Sequence, residues 1–117
     1  MELKEKAKKY LPLTEATYYI MLSLIEPLHG YGIMQKVDEM TEGNVKLGPG
    51  TLYGAISKLL KQEVIIEVED LKGDARRKTY KLTSFGRIIV NLEHKRIHML
   101  YENGKKVIEL MEVENLE

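Results

Sequence analysis

Thr51, Tyr53, Ser57, Lys58 and Lys61 lie close together in a stretch, Gly48 to Lys61, that contains no acidic residue; the next carboxylate is Glu63. Hydroxyl and ammonium groups are hydrogen-bond donors, and Gly50 and Gly54 among them allow another backbone to come near. No Ser/His/Asp order or carboxylate pair accompanies them, so the chemistry they offer is recognition rather than bond-making. A phosphate backbone and the floor of a DNA major groove are surfaces that suit such donors. The competing reading is an ordinary amphipathic helix whose polar side happens to lack acids.

The element that must hold these groups is a helix. Leu52, Ile56, Leu59 and Leu60 recur at i, i+4, i+7 and i+8, a single apolar stripe. Pro49 suits the first helical turn, where its missing N–H costs nothing and its fixed φ is already helical. After the helix, Val64 to Val68 (Val-Ile-Ile-Glu-Val) and Thr79-Tyr80-Lys81-Leu82 read as two short strands, joined by a polar, glycine-containing tip. From Lys72 to Lys81 there are five bases (Lys72, Arg76, Arg77, Lys78 and Lys81) and one acid, Asp74, a local net charge of +4. The whole chain balances 18 basic against 18 acidic residues, so the excess is confined to this hairpin. A basic hairpin directly after such a helix predicts a winged helix-turn-helix, with the helix in the major groove and the wing on the backbone or in the minor groove.

Upstream, Tyr31 opens a helix on which Ile33, Met34, Val37 and Met40 keep helical spacing, and Gly43 or Asn44 suits a left-handed cap. Val45-Lys46-Leu47 is a possible short strand that would pair with the wing. Thr14 is a fitting N-cap for a further helix, Glu15 to Glu26, stopped by Pro27. Thr83 or Ser84 caps a last helix with apolar positions from Phe85 to Met111. Uninterrupted, that segment extends roughly 40 Å at about 1.5 Å per residue, more than so small a domain covers by itself. Its surplus face predicts a second copy around a two-fold axis, with Ile88, Leu92, Met99, Leu100, Val107 and Met111 at the interface. Asn103-Gly104 marks a kink, a fray or a break into two helices.

The expected fold class is therefore mainly α with a small β-hairpin wing: residues 1–12 as an N-terminal arm or short helix, 13–83 as the winged helix-turn-helix domain, and 84–117 as the dimerisation helix. No cysteine occurs, which removes disulfides, thiol catalysis and thiolate metal sites. Met1 to Lys9 is charged, without the apolar run of a signal peptide, and no stretch approaches the roughly 20 apolar residues of a membrane span. A cytoplasmic location is expected. The end of the acidic tail, Glu109 to Glu117, is expected to fray. His94 and His98 stand at i, i+4, a spacing at which two imidazoles can share a metal, with Glu93 and Glu102 nearby. Two solvated histidines on a charged helix are the plainer reading, and no metal or cofactor is expected. A metal-responsive regulator and a winged-helix protein–protein module without DNA binding are the competing functions.

Three separated motifs, in order, resemble the PadR family of bacterial and archaeal transcriptional regulators. They are Leu28-His29-Gly30-Tyr31-Gly32-Ile33; Gly48-Pro49-Gly50-Thr51-Leu52-Tyr53 with Ile56 and Leu59-Leu60; and Arg77-Lys78-Thr79-Tyr80-Lys81-Leu82-Thr83 with Gly86. The resemblance runs from about Leu13 to Arg87 and departs at Thr79, where relatives usually carry a bulkier or aromatic residue. It implies a winged helix-turn-helix with a C-terminal helix that builds a homodimer. It further implies a repressor, and small, often aromatic or drug-like effectors between subunits. The expected partners are double-stranded DNA with a palindromic operator, a second copy and a small hydrophobic or aromatic effector; no membrane and no enzyme activity are expected. The expected DNA contacts are Tyr31, Gly50, Thr51, Tyr53, Ser57, Lys58, Lys61, Arg76, Arg77 and Lys78. His29 is either structural or a phosphate neighbour.

Overall fold

The computed structural model describes residues 2–69 and 77–113. Its elements, in order, are α1 (Glu2–Lys8), α2 (Glu15–Ser23), β1 (Leu28–His29), α3 (Gly30–Met40), α4 (Pro49–Lys61), β2 (Ile65–Val68), β3 (Thr79–Leu82) and α5 (Ser84–Val113). The expected hairpin is β2 and β3, antiparallel, with Ile65 opposite Leu82 and Val68 opposite Thr79. The third strand is not Val45–Leu47 but β1, which pairs antiparallel with the other edge of β3, Leu28 against Tyr80 and His29 against Thr79. Val45 is instead taken up by the turn after α3, where its N–H donates to Thr41 Oγ1 at 3.0 Å.

Local chemistry sets the helix ends. Thr14 Oγ1 accepts the Thr17 N–H at 3.1 Å and starts α2 as its N-cap. That helix closes at Ser23, three residues short of the expected Glu26, with the Ser23 hydroxyl donating to the Ile20 carbonyl at 2.6 Å. Residues ahead of Pro27 are biased away from helix, and the chain must extend to supply β1. At the far end of α3 the chain turns through Glu42 and Gly43, at φ 52° and 82°. Thr83 caps α5: its hydroxyl oxygen accepts the Gly86 N–H at 3.0 Å, while its own N–H donates to Val64 O at 3.0 Å. Gly86 has to be glycine, because a Cβ there would overlap the Val64 carbonyl oxygen. The close seat fixes α5 against the base of the hairpin.

The core draws on every layer: Ile20, Met21 and Leu24 of α2, Ile33 and Val37 of α3, Leu52, Ile56 and Leu59 of α4, Tyr80 and Leu82 of β3, and Phe85 and Ile89 of α5 are all buried. The stripe predicted for α4 is thus the face it buries; only Leu60 stays half-buried. Residues 2–8 form a docked helix rather than a loose arm. Ala7 is fully buried, Lys6 Nζ stands 5.2 Å from the Phe85 ring centroid, and Tyr10 meets Phe85 edge-on at 5.3 Å.

Glu93 fastens this N-terminal segment. It is 1% exposed, accepts the Leu13 N–H at 2.9 Å, and pairs with Arg96 through two hydrogen bonds of 2.6 and 3.0 Å. The Arg96 guanidinium, with the Leu13 N–H adding to it, outweighs burial and holds the carboxyl below its ordinary pKa. α5 continues through Asn103 and Gly104 without interruption to Val113, so no break into two helices occurs there. Residues 114–117, the end of the acidic tail, lie outside the described residues. Among the described residues no helix is long and apolar enough to cross a membrane.

Candidate nucleic-acid interface

α4 begins at Gly48 with no side-chain cap and has no acid in its first turn, so its first N–H groups and positive dipole end stay open to an anion. Gly50, Thr51, Tyr53, Gly54, Ser57, Lys58 and Lys61 are all exposed. At about 100° per residue they span one arc, with Tyr53 at one margin, Ser57, Gly50, Lys61 and Gly54 across its middle, and Lys58 and Thr51 at the other margin.

The Tyr53 margin turns towards α3 and the wing. A hollow of about 360 Å³ is lined there by His29, Gly30, Tyr31, Tyr53, Arg77, Lys78 and Tyr80. Three pieces of local structure assemble it. β1–β3 pairing brings His29 beside Thr79, which carries Arg77 and Lys78 at the root of the wing to the start of α3. His29 Nε2 then lies 3.4 Å from Arg77 Nη1, and its ring lies 6.4 Å from that of Tyr31. Gly30 lets the Tyr53 ring rest on α3, since a Cβ at that position would overlap the Tyr53 hydroxyl and ring. α3 also lacks a side-chain cap, so its leading N–H groups border the hollow. Burial, with help from the Glu67 carboxylate and Tyr53, pushes the Tyr80 hydroxyl above its ordinary pKa; it remains a neutral donor in this wall.

The structure therefore brings together Tyr31, Tyr53, Arg77 and Lys78, with Gly50, Ser57 and Lys61 on the adjoining arc. Tyr31 is 61% exposed, so its ring stands at the surface and not in the core. Lys58 stands apart: it faces Thr14 and Thr17 of the α2 start across a different cavity. Arg76 and the hairpin tip lie outside the described residues. Sequence reasoning missed the seat that Gly30 gives Tyr53, whose only signal was two glycines around a tyrosine with no turn to explain them.

The expected self-association surface divides in two. Ile88 and Leu92 are half-buried against their own domain's core. Met99, Leu100, Val107 and Met111 are exposed, by 60, 56, 58 and 40% respectively. Tyr101, Ile108 and Leu110, outside the expected interface set, are bare as well. His94 Nδ1 lies 3.2 Å from the Tyr18 hydroxyl, and among the described residues no cluster of three or more His, Cys, Asp or Glu could hold a metal. The nearby Glu93 is already committed to Arg96 and Leu13.

Comparison with known proteins adds the family. The model of the transcriptional regulator PadR-like family matches residues 20–91. An uncharacterized 37.1 kDa protein in transposon Tn4556 of Streptomyces fradiae is 32% identical over 80 residues, which is 68% of this chain and 22% of that protein. An uncharacterized protein of Lysinibacillus sphaericus is 32% identical over 69 residues, 58% of this chain and 63% of its own length. The chain spans less than two thirds of either curated relative.

Solved structures give the same fold. A PadR-like transcription factor from Bacteroides fragilis superposes with a TM-score of 0.63 at 26% identity, covering 92% of this chain and 99% of that one. A PadR family regulator from hypervirulent Clostridium difficile gives 0.68 at 21% identity, over 79% and 96%. One from Eggerthella lenta gives 0.65 at 22%, over 90% and 87%. The family match takes in α3, α4, the whole hairpin and the first turns of α5, more than half of the 117 residues, and the chain accordingly belongs to the PadR-like family, whose members regulate transcription and are not enzymes.

Proposed function

We propose that the chain is a homodimeric, sequence-specific DNA-binding repressor of the cytoplasm, released by a small-molecule effector. The observation that carries this reading is the convergence of Tyr31, Tyr53, Arg77 and Lys78, from α3, α4 and the wing, beside the acid-free arc of α4. α4 enters the major groove, with Tyr53, Ser57 and Lys61 towards base edges and Gly50 allowing close approach. Thr51 and Lys58 hold phosphates on one side of that groove. Tyr31, the leading N–H groups of α3, and Arg76, Arg77 and Lys78 of the wing hold the backbone on the other.

One recognition helix meets only a few base pairs, too few to select one site among a genome's competitors. A second copy, joined through Met99, Leu100, Val107 and Met111 with Ile88 and Leu92 at the root of the contact, doubles the reading. It requires half-sites about one helical turn apart, roughly 34–36 Å. An effector that fits one arrangement of the two α5 helices better than the other shifts that spacing and releases the operator.

Sequencing of genomic DNA fragments retained by the purified protein tests the proposal. The expected outcome is an enriched palindrome with half-sites about 10 base pairs apart. Retention without any enriched symmetric sequence contradicts it, and no retention at all favours a winged-helix protein–protein module.

A further inference from the structure

Gly54 is a glycine for which the fold has no use. A Cβ on Gly30 would overlap Tyr53, one on Gly86 would overlap the Val64 carbonyl, and one on Gly32 would press on His29 at 3.3 Å. At Gly54 a Cβ meets no atom within 4 Å, and the backbone is ordinary helix well inside the 13-residue α4. Gly48 and Gly50 are equally open, but they stand at the N-cap and in the first turn, outside the helix interior. Alanine at position 54 would strengthen α4, because an interior glycine gives up more backbone freedom on folding and covers nothing. Gly104, likewise open inside a helix, lies among the bare apolar groups of α5. Both glycines stand on surfaces that await a partner.

At about 100° per residue Gly54 points away from the core, opposite the middle of buried Leu52, Ile56 and Leu59. Its neighbours on the helix surface, three and four residues away, are Gly50, Thr51, Ser57 and Lys58, all exposed. Thr51 and the methylene stem of Lys58 flank it on one side and Ser57 on the other. The missing side chain therefore leaves a gap the size of a methyl group, over backbone already hydrogen-bonded along the helix. In the major groove the base edges offer hydrogen-bonding groups and one apolar projection, the 5-methyl group of thymine. A polar edge set against this gap gives up water and gains no partner, whereas a methyl group fills it.

We propose that Gly54 is a specificity-determining residue whose gap takes the 5-methyl group of one thymine in each half-site, against Thr51 and the stem of Lys58. This rests on the DNA-binding reading given above and adds a named base to it. Any side chain at position 54 occupies the gap and holds α4 off that base pair. Stability and recognition thus pull in opposite directions at one residue.

Gly54→Ala in the full chain separates the two. Calorimetry without DNA should show the variant melting about 2–5 °C higher than the wild type. Fluorescence anisotropy on the enriched operator should show binding at least tenfold weaker. Affinity for unrelated DNA should stay within twofold, because the phosphate contacts lie elsewhere. Operators in which one thymine of each half-site is replaced by deoxyuridine, position by position, lose only the methyl group. At one position this should lower wild-type affinity at least threefold and raise that of the variant, whose added methyl replaces the one removed. A lower melting temperature gives Gly54 a role in the fold and overturns the proposal. So does unchanged operator binding, an equal loss on unrelated DNA, or the absence of any position where deoxyuridine acts oppositely on the two proteins. Each of these, with wild-type operator binding intact, leaves the function proposed above standing; wild-type protein that binds no DNA overturns both.

Discussion

Two surfaces of this molecule stay open after folding, and their chemistry is opposite. The arc of α4 with the hollow beside it offers hydroxyls, guanidinium and ammonium groups. The outer half of α5 offers Leu100, Val107, Ile108 and Met111, bare hydrocarbon at helical spacing. Elsewhere the domain covers this side of α5: Ile89, in line with Leu100 and Val107, is buried by its own domain, as is the carboxylate of Glu93 beside it. The lesson is that exposure alone does not define a site; what the exposed groups lack defines the partner. A cationic surface lacks phosphate and should lose its partner as salt rises, whereas an apolar one lacks hydrocarbon and should not.

The strongest way to sharpen the comparison is to open the covered half of α5. Glu93→Ala leaves the Leu13 N–H without an acceptor, while Arg96, partly exposed, turns to water, and a loss of about 2–3 kcal/mol is expected in urea denaturation. The charge matters with pH as well. Because the folded carboxyl titrates below its ordinary value, its contribution is present above about pH 4.3 and is lost as pH falls through the folded pKa. Glu93→Gln, which keeps an acceptor but removes the charge, should flatten that acid-side decline. An unchanged acid limb in the variant would take Glu93 out of the account.

Next is the uncovered half. Leu100→Glu with Val107→Glu should weaken self-association at least a hundredfold, about 2.7 kcal/mol, while the melting of the domain core is little changed. Sedimentation equilibrium reads the first and calorimetry the second; a variant still dimeric at micromolar concentration contradicts the role of this face. Gly30→Ala has a smaller effect on stability, at most about 1 kcal/mol, because the new methyl displaces the half-exposed Tyr53 ring from α3 without disturbing the core. Its DNA affinity should fall more than its stability accounts for; equal losses would make Gly30 purely structural. Smallest is Arg77→Ala, which should reduce the slope of log affinity against log salt by about one per protomer without altering sequence preference.

What the sequence made legible was local. The stripe on α4, the Thr14 and Thr83 caps and the two hairpin strands depend on neighbours within a few residues, and they stand where spacing and residue type place them. β1 was illegible because two residues carry no periodicity of their own; it is a strand only because β3 lies alongside. The Gly30 seat was hidden for the same reason, since the ring that needs it comes from another helix. Glu93 reads in sequence as one more charge on a charged helix, and its burial depends on Leu13, eighty residues earlier. Helical spacing puts Lys58 on one polar face with Tyr53 and Ser57, yet it lies at the opposite margin of that face, where an apolar cavity meets it.

The most direct test of the central claim is the affinity of the intact protein for its enriched DNA fragment, measured by fluorescence anisotropy from 50 to 200 mM salt with self-association followed in parallel. The account predicts that log affinity falls steeply and linearly with log salt, by about 0.9 for each phosphate held, while the dimer persists across the range. Salt-indifferent DNA binding, or a dimer that dissociates in step with the loss of DNA, would contradict it.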